Sequence, residues 1–99
     1  MNNIIILGAG ESGLGSALLA KRNKYDVFVS DSSEISDQVK NKLIESGIDF
    51  EENSHQKAKT LKPDFIVKSP GISDANDIVE FFTSTSVKII SEIEFASLH

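Results

Sequence analysis

Cysteine is absent from the chain, which excludes disulfides, thiolate nucleophiles and sulfur-ligated metal sites and suits a reducing cytosol. Histidine occurs only at His55 and His99, too few and too far apart in sequence to suggest a zinc cluster. Positive charge is scarce: ten Lys and Arg stand against fifteen Asp and Glu, for a formal net charge of −5. The lysines are spread singly, so there is no basic stripe to follow a nucleic-acid backbone or an anionic bilayer, and both partners are disfavoured. No apolar run approaches the length of a membrane span. The first such run ends at Gly8, short of a secretory core and without its basic lead. Together these absences lead us to expect a soluble, cytoplasmic protein.

What remains is the composition of an ordinary globular domain. Apolar residues make up 39% and charged residues 25%, near average values and unlike those of disordered chains. At 99 residues the sequence supports one small domain with one core, and a two-domain enzyme does not fit.

Residues 4–7 form an unbroken branched-aliphatic run, which suits a strand covered on both faces. From Ser12 to Arg22 the pattern becomes helical, with Lys21 and Arg22 in the last turn, where cations complement the helix dipole. Val27-Phe28-Val29 is the next strand, ending in the turn formers Ser30-Asp31-Ser32-Ser33. Ile35, Val39 and Leu43, with Ile44 beside them, mark a second helix, with Ser36 as N-cap and Gly47 at the C-terminal left-handed position.

Strands follow at 48–50, 65–67 and 87–90, with a weakly helical connector at 55–61, a helix at 76–82 and the start of another at 92–99. Strands and helices alternate throughout, so the expected fold is α/β: a Rossmann-like open, parallel, five-stranded sheet with helices on both faces.

Gly8-x-Gly10-x-x-Gly13 lies between the first strand and the first helix. The first glycine permits the tight turn, the second lets a phosphate approach the backbone, and the third allows close helix–strand packing. Free amides at the helix start then face the anion. Glu11 repels a phosphate unless its acid turns to solvent, so its backbone is expected to face the site. By itself the spacing is a weak signal, but it follows an expected strand and opens an expected helix, which favours a phosphate-binding loop over a ligand-free strand-to-helix turn.

Asp31 lies close to the offset at which dinucleotide folds place an acid on ribose hydroxyls, so a nicotinamide-dinucleotide module stays open. An Asx-turn cap is its bland alternative. Ser69-Pro70-Gly71 follows the fourth strand and reads as a rigid turn, type II with a positive φ at Gly71, on the same rim as the glycine loop. Pro-Gly is also a common surface turn.

The segments Ile5–Gly13, Val29-Ser30-Asp31, Val67–Ile72 and Ile89–Ala96 together resemble, in order and spacing, the N-terminal domain of the Mur ligases. Within that family they are most similar to the branch that adds D-glutamate to UDP-N-acetylmuramoyl-L-alanine. The resemblance covers essentially the whole chain and implies an N-terminal fragment, residues 1–99, that binds the UDP part of a nucleotide-sugar. It implies that Gly8, Gly10, Glu11, Ser12 and Gly13 surround the diphosphate, with amides from 10–12 and the Ser12 hydroxyl as donors. Asp31 and Ser32 would then serve uracil or ribose, and Ser33 stands where some members carry a basic side chain. Ser69, Pro70 and Gly71 would approach from across the crevice.

The same resemblance implies ATP and Mg²⁺ as cofactors of the full-length ligase, and partner domains, central and C-terminal, in the same polypeptide. No Gly-Lys-Ser or Gly-Lys-Thr phosphate loop occurs here, so the fragment alone is expected to be inactive and to hold no cofactor. No residue is assigned a catalytic or metal-binding role. Phe81 and Phe82 read as core, His55 as a solvated loop residue, and Glu92 and Glu94 as acids favouring a helix start.

Overall fold

The computed structural model describes residues 2–73 and 76–99. Its strands are β1 (Asn3–Leu7), β2 (Asp26–Ser30), β3 (Asp49–Glu51), β4 (Phe65–Lys68) and β5 (Lys88–Ser91). They form one sheet in the order β3-β2-β1-β4-β5, with every neighbouring pair parallel. The helices are α1 (Glu11–Arg22), α2 (Asp37–Glu45), α3 (Gln56–Thr60), α4 (Asp77–Ser84) and α5 (Glu92–Ser97). The Rossmann-like reading of the sequence therefore holds.

Strand periodicity explains the layers, since successive side chains leave a strand on opposite faces. Ile4 and Ile6 join Val27, Val29, Val67 and Ile90 in a core with Leu14 and Ala17 of α1, Leu43 of α2 and Phe95 of α5. Ile5 and Leu7 join Phe28 and Ile66 on the other face, under Ala58 of α3 and Ile78 and Phe82 of α4. This two-sided cover is why β1 carries no polar alternation. Phe82 is buried and Phe81 packs edge-on against it, so both are core residues.

Local capping sets the boundaries. Ser36 accepts a hydrogen bond from the Val39 amide and caps α2. At the other end the Gly47 amide donates to the Ile44 carbonyl and the Ile48 amide to the Leu43 carbonyl. Those two bonds make a Schellman closure, with Ile48 and Leu43 both buried beside each other's helix end. Ile48 is thus consumed by the cap, and β3 begins one residue later than the expected 48–50. Ile44 lies outside the core and is exposed.

Strand order reverses between β1 and β4, so the loops following these two strands diverge from one rim. The register aligns Glu51, Ser30, Leu7, Lys68 and Ser91 as the last row across the sheet. Loops after β1, β2, β4 and β5 consequently emerge side by side, at the carboxyl rim where open α/β sheets take their ligands.

Candidate functional site

Three loops at this rim are stitched together by backbone bonds. The Gly8 amide donates to the Ser30 carbonyl at 2.9 Å, and the Ser69 amide donates to the Leu7 carbonyl at 3.0 Å. Gly8 sits at φ +98°, and a Cβ there would come within 2.7 Å of the Ser69 Cβ. Glycine is required twice over, by the left-handed backbone and by contact with the loop after β4. A Cβ on Gly13 would stand 1.9 Å from the Gly8 carbonyl oxygen, so this third glycine is what lets α1 press onto the end of β1.

Gly10 differs from both. It is the N-cap of α1, with no side chain to cap the first turn, and a Cβ there would meet nothing within 4 Å. The amides of Glu11, Ser12 and Gly13 are first-turn donors that a helix leaves without an intrahelical acceptor. They open beside unfilled space, at the positive end of the helix dipole. The Glu11 and Ser12 side chains are exposed.

Asp31 is a strut between loops. Its Oδ2 accepts from the Ala9 amide at 2.8 Å and its Oδ1 from the Ser33 amide at 2.8 Å. The second bond is the Asx-turn that residue preference allows. The first takes the Ala9 amide out of the set of free donors and fixes the glycine loop against the end of β2. A carboxylate has about four lone-pair sites, so Asp31 keeps acceptor capacity for another donor. Ser32 and Ser33 are exposed on the turn it organises.

The turn at Ser69-Pro70-Gly71 closes with the Ile72 amide donating to the Ser69 carbonyl at 3.1 Å. The positive φ expected at Gly71 is not observed: only Gly8 and Gly47 among the described glycines lie in that region. A type II turn is therefore excluded. Proline at the second turn position suits type I equally, so the dipeptide alone does not select the type. Space beside Gly71 is open, as it is beside Gly10.

Next to Asp31 lies a group that sequence reasoning passed over. Ser30 is fully buried, with its Oγ 2.6 Å from His55 Nδ1 and 2.9 Å from Glu51 Oε2. The Glu51 carboxylate only accepts, so the single hydroxyl proton goes to it and Ser30 accepts from His55 Nδ1–H. His55 is thereby held as the Nδ1–H tautomer and is not the solvated loop residue expected. Burial lowers its pKa below the ordinary value, with Lys59 adding to the shift and Glu51 and Asp31 opposing it. Glu51 also accepts from the Lys57 and Ala58 amides and so holds the start of α3. A buried serine at a strand end, needing partners, was the available signal.

Glu94 behaves as expected of a helix-start acid: Ser91 and Glu94 form a reciprocal capping box on α5. Glu92 also lies in the first turn of α5 as expected, and its Oε2 is buried without a hydrogen-bond partner. Among the described residues no group of three or more His, Asp or Glu is placed to hold a metal ion, and no helix is long and apolar enough to cross a membrane.

A glycine-rich strand-to-helix bend, an acid at the end of the next strand and a second bend across the order reversal belong to a Rossmann-like parallel α/β domain. Residues 3–78 match the MurD N-terminal domain family, and the chain belongs to that family. It is similar to UDP-N-acetylmuramoylalanine–D-glutamate ligases from Cytophaga hutchinsonii, at 49% identity over 97% of this chain and 21% of the relative, and Bacteroides fragilis, at 47% over 97% and 22%. The chain thus spans about a fifth of the length of these relatives. A murein peptide ligase from Psychrobacter arcticus superposes with a TM-score of 0.90 at 26% identity, over 100% of this chain and 21% of that one. A prephenate dehydrogenase from A. aeolicus, crystallised with NAD+, shares the fold at a TM-score of 0.63 and 19% identity, over 92% of this chain and 33% of its own.

Proposed function

We propose that this chain is the substrate-binding domain of the ligase that adds D-glutamate to UDP-N-acetylmuramoyl-L-alanine in cytoplasmic peptidoglycan precursor synthesis. The observation that carries the reading is the pairing of two bends at one rim: the uncapped first turn of α1 and the Ser69-Pro70-Gly71 turn, with open space at both Gly10 and Gly71. In this reading the amides of Gly10, Glu11 and Ser12 and the Ser12 hydroxyl receive the diphosphate. Asp31, Ser32 and Ser33 line the uridine end, and Gly71 approaches the sugar–diphosphate segment.

ATP and Mg²⁺, which the family's reaction uses, do not fit the glycine loop of this chain. The loop carries Glu11 and no lysine, whereas a phosphate loop for ATP places a lysine on the β- and γ-phosphates. ATP and magnesium chemistry is therefore assigned to central and C-terminal domains of a longer polypeptide, and the 99 residues alone to binding without catalysis.

A nicotinamide dinucleotide is the competing ligand, favoured by the glycine spacing and by a fold shared with an NAD+-bound dehydrogenase. Fold likeness alone does not choose between them. Calorimetric titration with UDP-N-acetylmuramoyl-L-alanine and, separately, with NAD tests the assignment. Heat of binding with the UDP-sugar only is expected; saturable binding of NAD with none of the UDP-sugar reverses it.

A further inference from the structure

The turn after β4 uses its amides unequally. The Ser69 amide donates to the Leu7 carbonyl at 3.0 Å and the Ile72 amide to the Ser69 carbonyl at 3.1 Å, while Pro70 has no N–H to give. That leaves the Gly71 amide as the turn donor without an acceptor among the described residues, beside the open space already noted at Gly71. Where this amide points is decided by what holds the turn.

Lys68, the last residue of β4, holds it from outside. Its Nζ donates to the Ile72 carbonyl at 2.6 Å from a half-buried position, short as bonds from a charged donor are. The base of this tether is rigid, since sheet pairing sets Lys68 against Leu7 on one side and Ser91 on the other. Its far end is placed as firmly. Ile72 packs partly buried against the core face of Ile5 and Leu7, and its Cδ1 lies 3.3 Å from where a Gly8 Cβ would stand. One side chain thus fixes the second bend to the sheet and, through Ile72, to the glycine loop. Without it the turn keeps a single closing bond, from the Ile72 amide, and a proline ring that fixes only its own φ.

Building on the UDP-sugar reading, we propose that Lys68 is the positioning residue of the second bend: its ammonium pins the Ile72 carbonyl and so aims the Gly71 amide at the sugar–diphosphate segment of the ligand. Lys68 acts by keeping the turn in its binding geometry and not by touching the ligand. A site competent only part of the time binds more weakly in that proportion, and one hydrogen bond from a charged group shifts such a balance by about tenfold or more. The tether counts only for ligands long enough to reach Gly71. UMP, which ends at a single phosphate, meets the first turn of α1 and the Asp31–Ser33 turn, so its binding does not depend on Lys68.

The test uses two variants. Lys68→Met keeps the apolar stem and removes the donor; Lys68→Arg keeps a charged donor for the carbonyl. The isotope-labelled parent and both variants are titrated with UDP-N-acetylmuramoyl-L-alanine and, separately, with UMP, and hydrogen exchange of the Ile72 amide is followed without ligand. Lys68→Met is expected to bind the UDP-sugar about tenfold more weakly, to bind UMP within about twofold of the parent, and to exchange the Ile72 amide about tenfold faster. Lys68→Arg is expected to recover most of the affinity and the protection. Equal loss for both ligands marks general damage to the domain and overturns the inference, as does an unchanged UDP-sugar affinity in Lys68→Met; either result leaves the UDP-sugar reading intact. No binding of the UDP-sugar by the parent overturns that reading, and the inference with it.

Discussion

Replacing Gly13 by alanine probes the contact on which the glycine loop is built. The added Cβ would lie 1.9 Å from the Gly8 carbonyl oxygen and 2.9 Å from its carbon, so α1 or the end of β1 must move by on the order of an ångström. Overpacking of this sort costs about 1–3 kcal/mol, and the obstacle here is backbone, which cannot rotate aside. Alanine returns about 1 kcal/mol of helix propensity. With the cost at the upper end of that range the net loss reaches about 2 kcal/mol, and for a domain of this size about 4–8 °C of melting temperature accompanies each kcal/mol.

Gly15 supplies the control on the same helix: it is exposed, with nothing within 4 Å of an added Cβ. Gly15→Ala is expected to gain up to about 1 kcal/mol. Thermal unfolding followed by circular dichroism should therefore move in opposite directions for the two variants. A Gly13→Ala protein that melts with the parent, or both variants shifting alike, refutes the close-packing argument.

Other perturbations separate scaffold from site. Asp31→Ala strips acceptors from the Ala9 and Ser33 amides and should cost about 2 kcal/mol, read as a lower denaturant midpoint; an unchanged midpoint contradicts the strut. Ser36→Ala removes the α2 cap for about 1 kcal/mol and should leave ligand affinity untouched. His55 has a pKa held below its ordinary value, so the unfolded chain binds more protons, and stability should fall as pH drops through about 6.5. His55→Gln should flatten that slope, and an unaltered slope assigns it elsewhere. Glu92 has the reverse sign: its raised pKa favours the fold at low pH and weakens it above the ordinary glutamate value of about 4.3. Glu92→Gln should accordingly raise the melting temperature at pH 7, with the gain vanishing toward pH 4.

Layer order and the rim were legible in the sequence because they follow from local signals. The apolar run before Gly8 has no polar face to offer solvent, and Ser36 and Gly47 mark the ends of α2 through backbone requirements that few residues satisfy. The one-residue delay of β3 was not legible, since Ile48 is as apolar in a Schellman closure as in a strand. Pro70-Gly71 announced a turn but not its type, because proline fixes only its own φ. Least legible were partners brought together by pairing. Nothing near His55 in the chain names Ser30, which the β2–β3 register brings to it from 25 residues away.

The claim on which the account rests, that bends after β1 and β4 together receive a uridine diphosphate, is tested most directly by mapping amide shifts of the isotope-labelled chain during titration with UDP-N-acetylmuramoyl-L-alanine. Shifts concentrated at Gly10–Gly13, Asp31–Ser33 and Ser69–Gly71 are predicted. Spectra unmoved at millimolar ligand, or shifts gathered on the opposite rim around Asp64, Lys88 and Leu98, would contradict it.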